Sequence, residues 1–274
     1  MESRVNYVGP TTERPRYHVN DVSRDTLTLD PQTIQIEDAR RRAQPPSLER
    51  EGFALLQHNS TIRDFGNVEE IARACRSDTE RLLLDLTHAD KVVLAGPAVH
   101  RLAQSPPDAG RLTCSGHLYN TRPVCFVHID ISATTAAAFT ERWRPKDHGR
   151  PVRRFAHYNV WRVLSPPPQD MPLALCDSRS VSPSDLVEAD AMMDIPGKRE
   201  SSYTGLLVRC NPRHRWSYFP DMNRDEVLIF KTHDSDPLQP SHVPHSAFND
   251  PTSPPEAQRR ASIEMRGIAY WFAV

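Results

Sequence analysis

The chain has 274 residues, 34 Lys plus Arg against 35 Asp plus Glu, and a formal net charge of −1. That balance disfavours a basic nucleic-acid binder, and the 38% hydrophobic and 25% charged residues are ordinary for a globular protein with a polar bias. No apolar run reaches membrane-spanning length, and Met1–Asp21 lacks the apolar stretch of a secretory signal, so a cytoplasmic protein without a membrane role is expected.

Residues 1–50 read as a polar, irregular N-terminal extension packed on the core or leading into it, with a short strand at Val19–Leu29. Residues 51–274 read as one domain. Glu51–Gln57 reads as a strand or turn entering the core. A helix is expected from Asn67, as N-cap, to Thr87: Glu69 and Glu70 suit its first turn, and Val68, Ile71, Ala72, Cys75, Leu82, Leu83 and Leu86 recur at helical spacing. Beyond Gly96 the pattern changes to short apolar runs separated by turn segments. Pro123–Ile131, Phe155–Leu164, Leu173–Cys176, Tyr203–Cys210, His214–Phe219, Glu226–Thr232 and Ala261–Phe272 all read as strands. With 25 Pro and 10 Gly there is little room for long helices, and neither GxGxxG nor GxxxxGK[ST] occurs. The five Cys show no CxxC spacing and read as reduced, partly buried thiols. The expected class is α+β, mainly β, a sandwich, barrel or jelly roll with N-terminal helical structure laid against it.

Two His-x-Asp triplets occur. His88-Ala89-Asp90 follows the helix and reads as polar residues at its end. His128-Ile129-Asp130 ends an apolar strand, where period-2 alternation puts both side chains on one face. Alone it reads more simply as a strand end. A distal His would complete two imidazoles and a carboxylate, the facial set of non-haem Fe(II) sites with three positions open. His245 is a candidate, and His233 and His242 compete with it. Fifteen residues after His245, Arg260, Ser262, Glu264 and Arg266 alternate with Ala261, Ile263 and Met265. This reads either as a solvated strand face or as an anion-binding interior in which Arg grips a carboxylate and Ser adds a donor. RxS after a distal His is a pattern that holds the far carboxylate of 2-oxoglutarate.

With these motifs the sequence resembles the fungal hydroxylase/desaturase family related to cephamycin 7-alpha-methoxylase. The stretches that carry the resemblance are VHIDIS, HYNVWRVLSPPPQDMPLALCDSRSVSPSDLV, NPRHRWSYFPDMNRDEVLIFKTHDS, VPHSAFNDP and RRASIEMRG, with EGFALLQHNSTIRDF upstream, so that it covers residues 50–272. It implies a double-stranded β-helix (jelly-roll, cupin-like) core with flanking N-terminal helices. It implies oxidation that depends on Fe(II), with 2-oxoglutarate and O2 as cosubstrates. The implied metal ligands are His128, Asp130 and His245; Arg260 would bind 2-oxoglutarate, with Ser262 beside it. Asn159, Trp161 and Arg162 match a family block near the site, and Arg162 could instead pair with Asp170 or Asp177. Tyr218 and Met222 are candidates for the substrate cavity, and Arg266 for the surroundings of the metal or substrate. The chain departs from the pattern at His233, where an aromatic is expected, and at Ser246, where Thr is usual. Arg142–Arg154 is a candidate lid.

The leading expectation is therefore an Fe(II)/2-oxoglutarate-dependent dioxygenase that hydroxylates, desaturates or cyclises a small specialised metabolite. The alternatives are a cupin-like metal enzyme that does not use 2-oxoglutarate, and a non-enzymatic β-barrel binding module. Neither the substrate nor the oligomeric state is legible.

Overall fold

The structure is a computed structural model that describes residues 1–64, 67, 70, 74, 76–103, 113–115, 118–146, 149–195 and 197–273. The strands are β1 Glu2–Val8, β2 Arg16–His18, β3 Leu29–Asp38, β4 Phe53–Gln57, β5 Lys91–Leu94, β6 Ala98–Leu102, β7 Thr113–Ser115, β8 Leu118–Thr121 and β9 His128–Ile129. They continue as β10 Val152–Val163, β11 Leu173–Cys176, β12 Leu186–Met193, β13 Ser201–Val208, β14 Trp216–Tyr218, β15 Glu226–Asp234, β16 His245–Ala247 and β17 Ala261–Phe272. Two α-helices accompany them among the described residues, α1 Arg76–Thr87 and α2 Ala133–Arg142. The fold is thus mostly β, as expected. Among the described residues no helix is long and apolar enough to cross a membrane.

One sheet has nine strands in the order β1-β3-β14-β11-β16-β9-β13-β12-β2. The other runs β4-β15-β10-β17-β6-β8-β7, with β5 also paired to β17. Its centre is the antiparallel pair β10–β17, twelve residues each, in register at Asn159↔Arg266, Trp161↔Glu264 and Val163↔Ser262. Alternation divides their side chains. Tyr158, Val160, Ile263 and Met265 share an apolar cluster with Leu83 of α1. Asn159, Trp161, Ser262, Glu264 and Arg266 take the opposite face. Gly267 admits the helix: a Cβ there would lie 2.3 Å from Leu83 Cδ1.

Several expectations are corrected. Residues 1–50 are not irregular: β1 pairs with β3 along its whole length, and β3 lies parallel to β14 in the larger sheet. Val5, Tyr7 and Ile36 are buried, so these strands close a core although most of their residues are polar. Val19–Leu29 is not a strand; it contains a 3-10 turn at Val22–Arg24, and β3 begins only at Leu29. Of Pro123–Ile131 only His128–Ile129 is strand. Two elements were not anticipated. β12 is an edge-near strand of mixed polarity. α2 is started by Ser132, whose hydroxyl accepts from the Thr135 N–H at 3.2 Å. Helical structure thus also follows β9 and is not confined to the N-terminal part.

For the helix expected from Asn67, the described part is Arg76–Thr87, and the Asn67 side chain accepts from the Glu70 N–H at 3.0 Å. Val68, Glu69, Ile71, Ala72 and Cys75 lie outside the described residues. Of the described cysteines, Cys125, Cys176 and Cys210 are free thiols.

Leu83 is fully buried against the sheet. Leu83→Ala should lower unfolding stability by about 2–5 kcal/mol, read from urea titration.

Candidate metal centre

His128 opens β9 and Asp130 directly follows its end, while His245 opens β16, the strand hydrogen-bonded beside it with His245 opposite His128. One ligating atom from each of the three lies within 4.8 Å of the others, and all three residues are buried. The imidazoles lie 4.2 Å apart, centroid to centroid. His128 Nδ1 donates to the Phe126 carbonyl at 2.9 Å, and His245 Nδ1 to the Val243 carbonyl at 3.1 Å. Those bonds turn both Nε2 atoms toward one point, where Asp130 Oδ1 stands 3.5 Å from one and 3.6 Å from the other. Such bonds to the far nitrogen are how proteins orient metal-ligating histidines.

Burial, followed by the neighbouring His245, pushes the His128 pKa down, which favours the neutral ring. With its proton on Nδ1, a neutral ring presents a lone pair at Nε2. Burial would also raise the Asp130 pKa, but the Arg266 guanidinium counters it, and the carboxyl is held well below the usual range. A convergence of nitrogen and carboxylate lone pairs is repulsive by itself and is relieved by a cation. The donor set therefore fits a divalent transition metal, with three ligands on one face.

Asp130 Oδ2 faces away from the histidines and accepts from Asn159 Nδ2 and Arg266 Nε, each at 2.9 Å. Arg266 Nη2 in turn donates to Glu264 Oε1 at 2.7 Å. Arg260 is buried, with its guanidinium carbon 5.6 Å from the centroid of the Trp161 ring. Its Nε and Nη1, and the Ser262 hydroxyl, have no hydrogen-bond partner. Burial and then neighbouring Arg101 lower its pKa to about 10, so it remains a cation at neutral pH. Orphaned buried donors on a cationic fork are the chemistry of a site for a carboxylate.

A cavity of about 1000 Å³ opens beside Asp130 and the residues that hold it. His128, Asp130, Asn159 and Arg266 contribute to its floor, and Tyr17, Leu27, Phe126, Phe139, Trp143 and Tyr203 to its walls.

The structure distributes the sequence-derived candidates unevenly. Asn159 and Arg266 meet the triad through Asp130. Trp161 lies against Arg260. Arg162 points to the opposite face, where it donates to the carbonyls of His58 and Arg224 at 2.8 and 2.5 Å; it does not pair with Asp170 or Asp177. Those carboxylates accept instead from Arg259, and from Arg179 and Arg215. Tyr218 packs edge-on against Phe248, and Met222 joins a cluster with Trp161 and Phe230; neither lines the cavity. His233 and His242 stay away from the triad and adjoin each other, His233 also adjoining His157. Of the lid candidate Arg142–Arg154, Arg142 closes α2 and lines the cavity, Val152–Arg154 begins β10, and residues 147–148 lie outside the described residues. Tyr17 and Tyr203 were not foreseen. No local pattern marks them, since each reaches the cavity only through long-range strand pairing.

A mainly β chain with two histidines and an aspartate converging beside a deep cavity is a metal-dependent enzyme scaffold. Over residues 5–270 the chain matches the family model described as oxidoreductase/YMDC permease-like domain, and it belongs to that family. It is 28% identical over 256 residues to hydroxylase/desaturase efuI of Hormonema carpetanum, covering 88% of this chain and 84% of the relative. It is 26% identical over 288 residues to Fe(II)/2-oxoglutarate-dependent dioxygenase nvfI of Aspergillus novofumigatus, covering 98% and 96%. Its fold matches the solved structure of the iron and alpha-ketoglutarate-dependent endoperoxidase NvfI with a TM-score of 0.81 at 22% identity, over 100% of this chain and 98% of that one.

His157, on the cavity wall, shares a hydrogen bond of 2.9 Å with the Thr140 hydroxyl. Burial, followed by His233, lowers its pKa from 6.5 to about 3. On acidification the unfolded chain therefore takes up this proton first. The associated stability is fully present above about pH 6.5 and is lost as the pH falls toward the folded value. Urea denaturation should show a decline of about 2 kcal/mol from this residue between pH 7 and 5. His157→Asn should flatten the decline by that amount.

Proposed function

We propose that the chain is a non-haem Fe(II)- and 2-oxoglutarate-dependent oxygenase acting on a small organic molecule, within a jelly-roll core. The observation that carries this reading is the pairing of the His128–Asp130–His245 set with a separate buried anion site at Arg260 and Ser262. His128, Asp130 and His245 would hold the metal through Nε2, one carboxylate oxygen and Nε2. Arg260 would grip the far carboxylate of 2-oxoglutarate, with the Ser262 hydroxyl beside it. When bound, iron and 2-oxoglutarate supply the activation of dioxygen and the two-electron oxidation of substrate.

The chain's own residues do the rest. Asn159 and Arg266 keep Asp130 ionised and aimed. The cavity walls shelter the reacting carbon from water and set which hydrogen faces the centre. The aromatic side chains suit a substrate with a substantial apolar body, and about 1000 Å³ is at the upper end for small-molecule pockets. A metal enzyme that does not use 2-oxoglutarate would share the triad but would leave the orphaned donors of Arg260 and Ser262 without a role. A metal-free binding module would leave three ligating groups converging on nothing.

The test is anaerobic titration with Fe(II) and then 2-oxoglutarate, read as the weak visible charge-transfer absorption of the chelate. Wild type should develop the band. His245→Ala should abolish it. Arg260→Met should need at least about 30-fold more 2-oxoglutarate, since a charge-assisted fork contributes about 2–3 kcal/mol. Iron binding without any band on adding 2-oxoglutarate would favour the 2-oxoglutarate-independent enzyme; no iron binding would favour the binding module.

A further inference from the structure

We infer that Arg266 is a positioning residue that keeps Asp130 a one-oxygen metal ligand, with Glu264 holding Arg266 in that task. The inference rests on the metal reading above and deepens it. A carboxylate beside a metal has two ways to bind. Through one oxygen it takes a single coordination position. Turned about its Cβ–Cγ bond, it can chelate through both and take two. Three protein ligands leave three positions open only in the first case. A chelating 2-oxo acid and dioxygen together require all three.

The structure commits the two oxygens of Asp130 to different neighbours. Oδ1 faces His128 and His245 at 3.5 and 3.6 Å. Oδ2 is taken by Asn159 Nδ2 and Arg266 Nε, each at 2.9 Å, and these two residues sit opposite each other on β10 and β17. Rotation of the carboxylate breaks both bonds together.

Asn159 supplies one neutral hydrogen bond, and among the described residues only Arg266 supplies a compensating charge at Oδ2. The guanidinium is itself fixed. Its Nε serves Asp130 while its Nη2 serves Glu264 Oε1 at 2.7 Å, two carboxylates held by one planar fork. Arg101 Nη2 lies 3.9 Å from the same Glu264 oxygen. Asp130 and Glu264 are buried, whereas Arg266 opens onto the cavity. Lysine could replace the charge but not the two directed bonds.

The experiment is anaerobic titration of apo-protein with Co(II) and Fe(II), following affinity and the visible d–d bands of the Co(II) form. Melting temperature is recorded alongside. The variants are Arg266→Lys and the double substitution Arg266→Met with Glu264→Gln, which leaves no unpaired charge at Glu264. The double variant should bind metal about 10–100-fold more weakly, as loss of groups that orient ligands does. Its d–d bands should shift as the carboxylate changes its mode of binding. Arg266→Lys should recover part of the affinity while its bands stay shifted. A folded double variant with wild-type affinity and wild-type bands overturns the inference. Should that variant not fold, Arg266→Lys decides alone, and bands superimposable on wild type overturn it. Wild-type protein that binds neither metal overturns the metal reading itself, whereas wild-type binding with indifferent variants overturns only the role of Arg266.

Discussion

An ionised carboxylate inside a mainly apolar fold organises this molecule. Asp130 is 6% exposed, and burial opposes its charge. The fold answers by bringing the inner face of β10–β17 against the end of β9, so that Asn159 and Arg266 reach the same oxygen. Arg266 then needs an anion of its own on its other nitrogens, which is Glu264, and Glu264 has Arg101 nearby. The polar interior is therefore one connected set, because each charge admitted requires the next. The two sheets cannot slide relative to one another without breaking it.

How much of this was legible depends on range. His128 and Asp130 were legible because period-2 alternation and an apolar lead-in are local. The Arg260–Arg266 alternation was legible for the same reason, and β17 has the limits the pattern suggested. The distal histidine was not settled by local pattern, since His233, His242 and His245 compete within thirteen residues and nothing local separates them. Only the pairing of β16 with β9 sets His245 against His128. Arg162 misled because its neighbours Asn159 and Trp161 face the interior. Alternation alone puts position 162 on the other side, where its partners are His58 and Arg224.

The N-terminal fifty residues show the limit most clearly. Their strands carry few apolar residues, and their register is set by partners far along the chain, β3 beside β14 and β2 beside β12. A strand with one face in water needs apolar residues only on the other, so its sequence remains largely polar. Yet this segment supplies Tyr17 and Leu27 to the cavity wall. The part of the chain hardest to read locally thus shapes where substrate would lie. The family match nonetheless spans residues 5–270, so these strands belong to the shared fold although local pattern does not show them.

The polar groups of the interior also divide into two kinds. On the metal side every ligand is already oriented: both histidines donate from Nδ1 to carbonyls, and Asp130 is held from behind. On the Arg260 side the donors are left open. Each unmet buried donor costs about 1–3 kcal/mol, and a fold retains such a cost where a ligand relieves it. In the proposed reading this asymmetry matches the two roles. The metal is resident, so its ligands are oriented in advance by the protein. 2-Oxoglutarate is consumed and replaced at each turnover, so its anchor must be vacated and refilled. Strength at Arg260 therefore comes from a rigid, charged, desolvated site rather than from a network that closes without the ligand. In that reading the triad alone would suit several metal chemistries, and the unpartnered donors of Arg260 and Ser262 are what would narrow them.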